Sequence, residues 1–259
     1  MQQKTIKRPI RYRGFGILFG KESRITLRPA PPDTGIIFNE NIKVKVKNGF
    51  VRGLVLGLRS GKTKIYFVEH LLAACYGLGI NNLFIEVSGK EIPFADGSSL
   101  PFVRLINRAG IRSYQARPKI QNLKTPIIVS KNDSFILALP AKLLSIDCFV
   151  DFPQSKIGAQ FWADLINQPN FVKELASART FGYYRNYRLL AKVLPFEIKS
   201  EEGLIVPKIL RYRNEAVRHK VLDLVGHFAL LGRNLNAKIF AYKSSHKLNH
   251  RFVRKLEAL

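Results

Sequence analysis

Three residues able to bind a metal or carry a proton recur every four positions in RHKVLDLVGH, residues 218–227: His219, Asp223 and His227. On a helix, residues four apart share a face, so His219 and Asp223 can converge on one ion. His219 and His227 cannot, because eight residues of helix rise roughly 12 Å. The helix thus supplies at most a two-ligand clamp. On spacing alone, a metal clamp, a row of proton carriers and the solvated side of an amphipathic helix all remain open.

A second pair, Glu69-His70, opens the apolar run EHLLAACYGLG. A catalytic zinc takes three protein ligands and leaves one position for water, and two histidines with a carboxylate are one such set. His70, His219 and Asp223 would complete it, with Glu69 free to take a proton from the water. An acidic residue at a helix start also suits the helix dipole without any metal.

These residues need elements to hold them. Residues 5–56 alternate apolar with polar or basic positions in RITLRPA, TGIIFNE and IKVKVKNGFV, a pattern of strands. From Val68 a buried helix follows, ending at glycines suited to a C-cap, then a strand (NLFIEV), a loop (FADGSSLP) and a helix (FVRLINRAG). The proline-punctuated stretch SYQARPKIQNLKTP marks a boundary. Beyond it come strands PIIVS, FILALP and LLSIDCFVDF. The chain then closes as the first half did: helix HKVLDLVGHFALLGRN, strand LNAKIFAY, loop KSSH and helix LNHRFVRKLEAL. The expectation is an α/β (α+β) fold of two related modules, 1–115 and 123–259, joined by a linker at 116–122. Each sheet face covered by helices would bury itself against the other module.

The 259 residues carry a net charge of +25, which favours an anionic partner such as nucleic acid, an acidic membrane surface or a phosphorylated substrate. No Asp or Glu lies between Leu224 and Leu256, while seven Lys or Arg do. No aromatic-and-basic nucleic-acid motif accompanies that charge. No apolar run reaches the roughly 18 residues of a membrane span, and the basic start lacks the apolar core of a secretory signal. Cys75 and Cys148 sit in apolar stretches without metal spacing and read as buried thiols.

The run VEHLLAACYGLGINNLFIEVSGKEIPFADGSSLPFV resembles the signature of the UDP-3-O-acyl-N-acetylglucosamine deacetylases, zinc amidohydrolases of lipid A synthesis. ASARTFGY, RHKVLD and YKSSHKLNH resemble that family's later motifs in the same order, and the opening TIKRPIRYRGFGILFGKESRITLRPAPPDTGIIF is similar to its N-terminus. The resemblance implies a fold in which two sheets sandwich the helices. It implies zinc held by His70, His219 and Asp223, with Glu69 as general base towards an acetamide carbonyl. His246 falls where the family has a protonated histidine that stabilises developing charge and protonates the leaving amine. Thr180 falls where a threonine helps hold the oxyanion; Phe181 would line the substrate site and Lys220 would bind its polar or anionic parts. The partner implied is a UDP-linked acylated amino sugar, with no obligate nucleic acid. A monomer, peripheral association with a membrane surface, and a bacterial cytoplasm or plastid stroma as compartment are the accompanying expectations. The competing reading is a diverged, weakly catalytic member acting as a basic, zinc-containing binding protein on nucleic acid or a membrane surface.

The chain departs from the family pattern at four places. His227 stands where an Asp one turn past the metal Asp would orient the catalytic histidine. A histidine there would not stabilise an imidazolium at 246 and, if charged, would repel it, so the acid step is expected to differ. Leu18-Phe19-Gly20 replaces a His-Thr-Gly, and Tyr66-Phe67 replaces a Ser/Thr pair in the pocket wall. FEIKSEEGLIVPKIL replaces a glycine-serine segment expected after a helix at ARTFGY.

Overall fold

The computed structural model describes residues 1–153, 155, 157–183, 196–198 and 204–259. The first half runs β1 (Lys4–Ile6), β2 (Ile10–Phe15), β3 (Glu22–Pro29), β4 (Ile36–Phe38), β5 (Ile42–Lys43), β6 (Gly49–Arg52), β7 (Val55–Ser60) and β8 (Thr63–Tyr66). It continues with α1 (Glu69–Leu78), β9 (Leu83–Val87), α2 (Leu100–Ala109) and β10 (Ile111–Ser113). The second half runs β11 (Ile120–Asn122), β12 (Ile127–Lys131), β13 (Ser134–Pro140), β14 (Ser145–Phe152), β15 (Gly158–Leu165), β16 (Gly182–Tyr183), β17 (Phe196–Ile198) and β18 (Leu204–Pro207). It ends with α3 (Glu215–Phe228), β19 (Asn234–Tyr242) and α4 (His246–Glu257).

The two large sheets share one plan. The first has the order β2-β3-β9-β4-β5 and the second β12-β13-β19-β14-β15. In each, the strand after the central helix pairs antiparallel on one side (Leu27 with Ile85; Ala138 with Ile239) and parallel on the other (Ile37 with Phe84; Ile146 with Ile239). The strand alternation seen in the sequence is the alternation of burial: Leu235, Ala237, Ile239 and Ala241 face inward along β19. The stretch 116–122 carries β11, which pairs in parallel with β19.

Between the sheets lie the helices, α1 packed on α3. This position explains why α1 is apolar nearly all round: nine of its ten residues are buried, so it has no solvated face to make it amphipathic. One continuous core joins both halves, including Leu71, Leu72, Val225, Phe228 and Phe252. Each such side chain contributes about 1.5–3 kcal/mol by leaving water. Gly79 ends α1 in the left-handed region (φ 71°), its N–H returning to Cys75 and Tyr76 carbonyls. Cys75 and Cys148 are free and buried, and burial pushes both thiols up to about 12. Among the described residues no helix is long and apolar enough to cross a membrane.

Three local expectations are corrected. IKVKVKNGFV is not one strand, because after β5 the chain makes a 3-10 turn at Val46–Asn48 before β6. The last helix starts at His246, not after it, since the Ser245 hydroxyl accepts the Leu248 N–H and caps that turn. ARTFGY is not helical. Its N–H groups are taken elsewhere: Arg179 by Glu215 (2.9 Å), Thr180 by the Gly97 carbonyl (2.8 Å), and Gly182–Tyr183 pair with β18. Of FEIKSEEGLIVPKIL, residues 196–198 and 204–207 form β17 and β18 in that small sheet, while 199–203 lie outside the described residues.

Candidate metal centre and active site

The first turn of α1 and the second and third turns of α3 meet between the sheets, and their side chains make the site. The face of α3 that carries His219, Asp223 and His227 is not solvated; all three are at most 2% exposed. His70, His219 and Asp223 each offer one ligand atom, all within 4.8 Å of one another. His219 Nε2 is 3.3 Å and His70 Nε2 4.0 Å from Asp223 Oδ1. The two imidazoles lie edge to face, with centroids 5.0 Å apart.

Each ligand candidate is prepared for a cation. His219 Nδ1 lies 3.0 Å from the Ala178 carbonyl, which can only accept, so the proton sits on Nδ1 and Nε2 keeps its lone pair. Burial, and then neighbouring His219, push His70 down to about 3; burial also lowers His219, so both rings are neutral donors. Burial alone would raise Asp223, but His219, His246 and Lys220 around it outweigh that and hold its carboxyl well below the usual range. Its Oδ1 is buried without a hydrogen-bond partner. Two neutral nitrogens and an orphaned carboxylate oxygen converging among buried side chains fit a divalent metal such as zinc.

Glu69, next to His70, is 1% exposed and accepts the Leu56 N–H at 3.2 Å. Burial first, then the charge of Asp223, pushes its carboxyl well above the ordinary value, so it favours holding a proton. His246 Nε2 lies 3.3 Å and Lys220 Nζ 3.4 Å from Asp223 Oδ2, so the expected acid and the expected substrate-binding lysine gather on one carboxylate. Lys220 also rests over Phe181 (5.3 Å to the ring), whose ring stands 6.3 Å from His219. Thr180 is buried and is brought to the first module through its N–H on Gly97.

The substituted positions are visible too. Leu18 and Phe19, with Arg52, Leu54, Ser245, His246 and Lys247 among others, line a cavity of about 540 Å³ at the mouth of the site. Their loop is held by Glu91, whose carboxylate accepts the N–H groups of Ile17 (3.1 Å), Leu18 (2.9 Å) and Phe19 (2.9 Å). Phe67 packs against His70 (6.2 Å) and Phe94 (5.6 Å) with φ at 61°, a strained conformation for a bulky residue. His227 is fully buried; its Nδ1 is 2.9 Å from the Asp223 carbonyl, and burial followed by nearby His246 pushes it down to about 3.

Several supports escaped the sequence. Ser99 Oγ donates to the His70 carbonyl at 2.7 Å, and Arg211 bridges the halves through Asp96 (2.8 Å). Buried Glu215 binds Arg179 at Nε (2.8 Å) and Nη2 (3.1 Å) and accepts the Arg211 N–H (2.8 Å). The loop FADGSSLP was readable as a loop, but nothing in its spacing announces that Ser99 braces a ligand's helix.

A family model described as UDP-3-O-acyl N-acetylglycosamine deacetylase matches residues 3–258. Among curated proteins, the chain is 38% identical to a UDP-3-O-acyl-N-acetylglucosamine deacetylase of Chlamydia pneumoniae, over 99% of this chain and 98% of that one. It is 37% identical to the protein of that name from Thioalkalivibrio sulfidiphilus (100% and 90% covered) and 34% to that from Syntrophotalea carbinolica (99% and 88%).

Proposed function

Since the chain belongs to the UDP-3-O-acyl N-acetylglycosamine deacetylase family, we propose that it hydrolyses the N-acetyl group of a UDP-3-O-acyl-N-acetylglucosamine, releasing acetate early in lipid A biosynthesis. The observation that carries this reading is the buried set His70, His219 and Asp223 with Glu69 beside it. The metal in this reading is zinc, held by those three. When bound, it supplies Lewis acidity, lowering the pKa of water and polarising a carbonyl.

The chain's own groups would do the rest. The Glu69 carboxylate, made a stronger base by burial and by the charge of Asp223, takes the proton of the attacking water. Thr180, itself buried, donates to the developing oxyanion. His246, with Nε2 on Asp223, gives a proton to the departing amine. Lys220 meets polar or anionic parts of the substrate, and Phe181 forms the apolar wall beneath it. The bacterial origin of the relatives favours a bacterial cytoplasm for this work.

The test is zinc content and acetate release on the UDP-sugar, wild type against His219→Ala. Stoichiometric zinc and acetate release, both lost in the variant, support the reading. Zinc without acetate release, together with salt-dependent binding to nucleic acid, overturns it.

A further inference from the structure

At the end of the helix pair remote from the metal centre lies a cavity of about 230 Å³ that the proposed reaction does not use. Its walls come from both modules. The first supplies Lys43, Lys45, Tyr76 and the loop 79–82 after α1. The second supplies Ala229, Gly232, Arg233 and Asn234 after α3, and the stretch between the modules supplies Lys119. Along α1, Tyr76 and Gly79 stand roughly 9–14 Å beyond His70. The Tyr76 hydroxyl accepts the Leu235 N–H at 3.1 Å, so the two modules are hydrogen-bonded at the cavity wall.

The charge of this lining is one-sided. Lys43, Lys45, Lys119 and Arg233 are set against a single carboxylate, Asp33, whose Oδ1 already accepts Gln3 Nε2 at 2.8 Å. Among the described residues none of these four cations makes an ion pair or donates a side-chain hydrogen bond, and Arg233 Nε is buried without a partner. On the sheets, by contrast, Arg28, Lys238 and Lys243 pair with Glu86, Asp147 and Asp133. Helix C-termini attract cations on their own account, but only Arg233 follows one; Lys43 ends β5, Lys45 comes after it and Lys119 precedes β11. Like charges gathered around a concavity focus a positive potential and concentrate anions there. A guanidinium together with ammonium groups is a donor set for phosphate. The volume lies below the roughly 300 Å³ of the smallest drug-sized sites, which suits a phosphate or a small phosphorylated molecule and excludes a lipid chain or nucleic acid.

We propose that this cavity binds a phosphoryl group, free or on a small metabolite, held by Lys43, Lys45, Lys119 and Arg233 and clamping the two modules together at the end of α1 remote from His70.

The test does not depend on the deacetylase reading. Inorganic phosphate and glycerol 3-phosphate are titrated into the full chain, and binding is followed by calorimetry and by thermal unfolding. One site per chain and a rise in Tm are expected, because a ligand that bridges both modules binds only the folded protein. The double variant Lys45→Ala, Lys119→Ala changes exposed side chains only; it and Arg233→Ala should each weaken binding roughly 10-fold or more, the scale of a lost charge-assisted hydrogen bond. Lys62→Ala, Lys64→Ala, which removes the same charge from exposed positions at the β7–β8 turn, should leave binding unchanged. Tighter binding of the ester than of the free ion identifies a phosphorylated metabolite; otherwise phosphate itself is the ligand. The proposal is overturned by an absence of saturable binding, or by equal weakening in the Lys62, Lys64 control. Binding lost in His219→Ala but kept in the cavity variants also overturns it, since the anion would then sit at the metal centre.

Discussion

Gly226 on α3 touches the backbone of Glu69 on α1: a Cβ added at 226 would lie 2.5 Å from the Glu69 carbonyl oxygen. The central helices therefore cross backbone to backbone at the residue read as general base. The crossing is close because Gly226 has no side chain, and it lies one turn beyond Asp223.

Gly226→Ala should force the helices apart and carry Glu69 and His70 away from Asp223. Overpacking of this kind costs about 1–3 kcal/mol, so thermal unfolding should drop by several degrees. Zinc affinity and acetate release should fall further than stability does. A variant with wild-type zinc binding would show that the contact does not set the ligand geometry.

Arg179→Ala should be among the more damaging changes outside the ligand set. Glu215, 1% exposed, would lose the guanidinium that holds it, and a buried charge stripped of its partner costs about 3–5 kcal/mol. Because Arg179 precedes Thr180 and Phe181, activity should fall as well. Urea unfolding alongside acetate release measures both. A stability change below about 1 kcal/mol, the size of a surface pair, would refute the assignment.

Glu91 gives the chain a pH dependence that can be read without the metal. Burial raises its carboxyl above 4.5, against the opposing pull of the Leu18, Phe19 and Ile17 N–H groups. A carboxyl whose folded pKa is raised binds its proton more tightly in the native state. Its contribution is thus complete below the unfolded value and is lost as pH rises through the folded one. The stability of wild type relative to Glu91→Gln should be greatest near pH 4 and decline above pH 4.5, as measured by urea titrations at successive pH values. An advantage that grows with pH would reverse the sign and reject the account.

Part of the basic run between Leu224 and Leu256 has a task within the fold. β12 is an edge strand, and α4 lays Arg251 Nη1 on the Ser130 carbonyl and Lys255 Nζ on the Ile128 carbonyl, both at 3.1 Å. Covering an edge with cationic side chains discourages pairing with another chain. The double variant Arg251→Ala, Lys255→Ala should unfold within about 1 kcal/mol of wild type yet self-associate sooner on heating, seen by light scattering. Equal scattering curves would leave those charges without this role.

The parts of the site legible in advance were those governed by spacing along one element. His219 and Asp223 had to share a face because a helix turns every 3.6 residues, and His227 had to fall off that ion by its rise. The repeated helix, strand, loop and helix order announced two like modules, and the two sheets have the same strand order. ARTFGY escaped for the opposite reason. Its local pattern allows a helix, but Glu215, Gly97 and β18 take its N–H groups from far along the chain.

By itself, then, the sequence determined the residue types, the faces on which they stand and the family they resemble, because periodicity is a local property of the backbone. Tertiary structure alone decided which faces meet. It put His70 against His219 and buried a helix face that spacing left free to be solvated. It also buried His227 completely and set its Nδ1 on the Asp223 carbonyl. Burial and hydrogen bonding depend on neighbours distant in sequence, and no spacing along the chain encodes them.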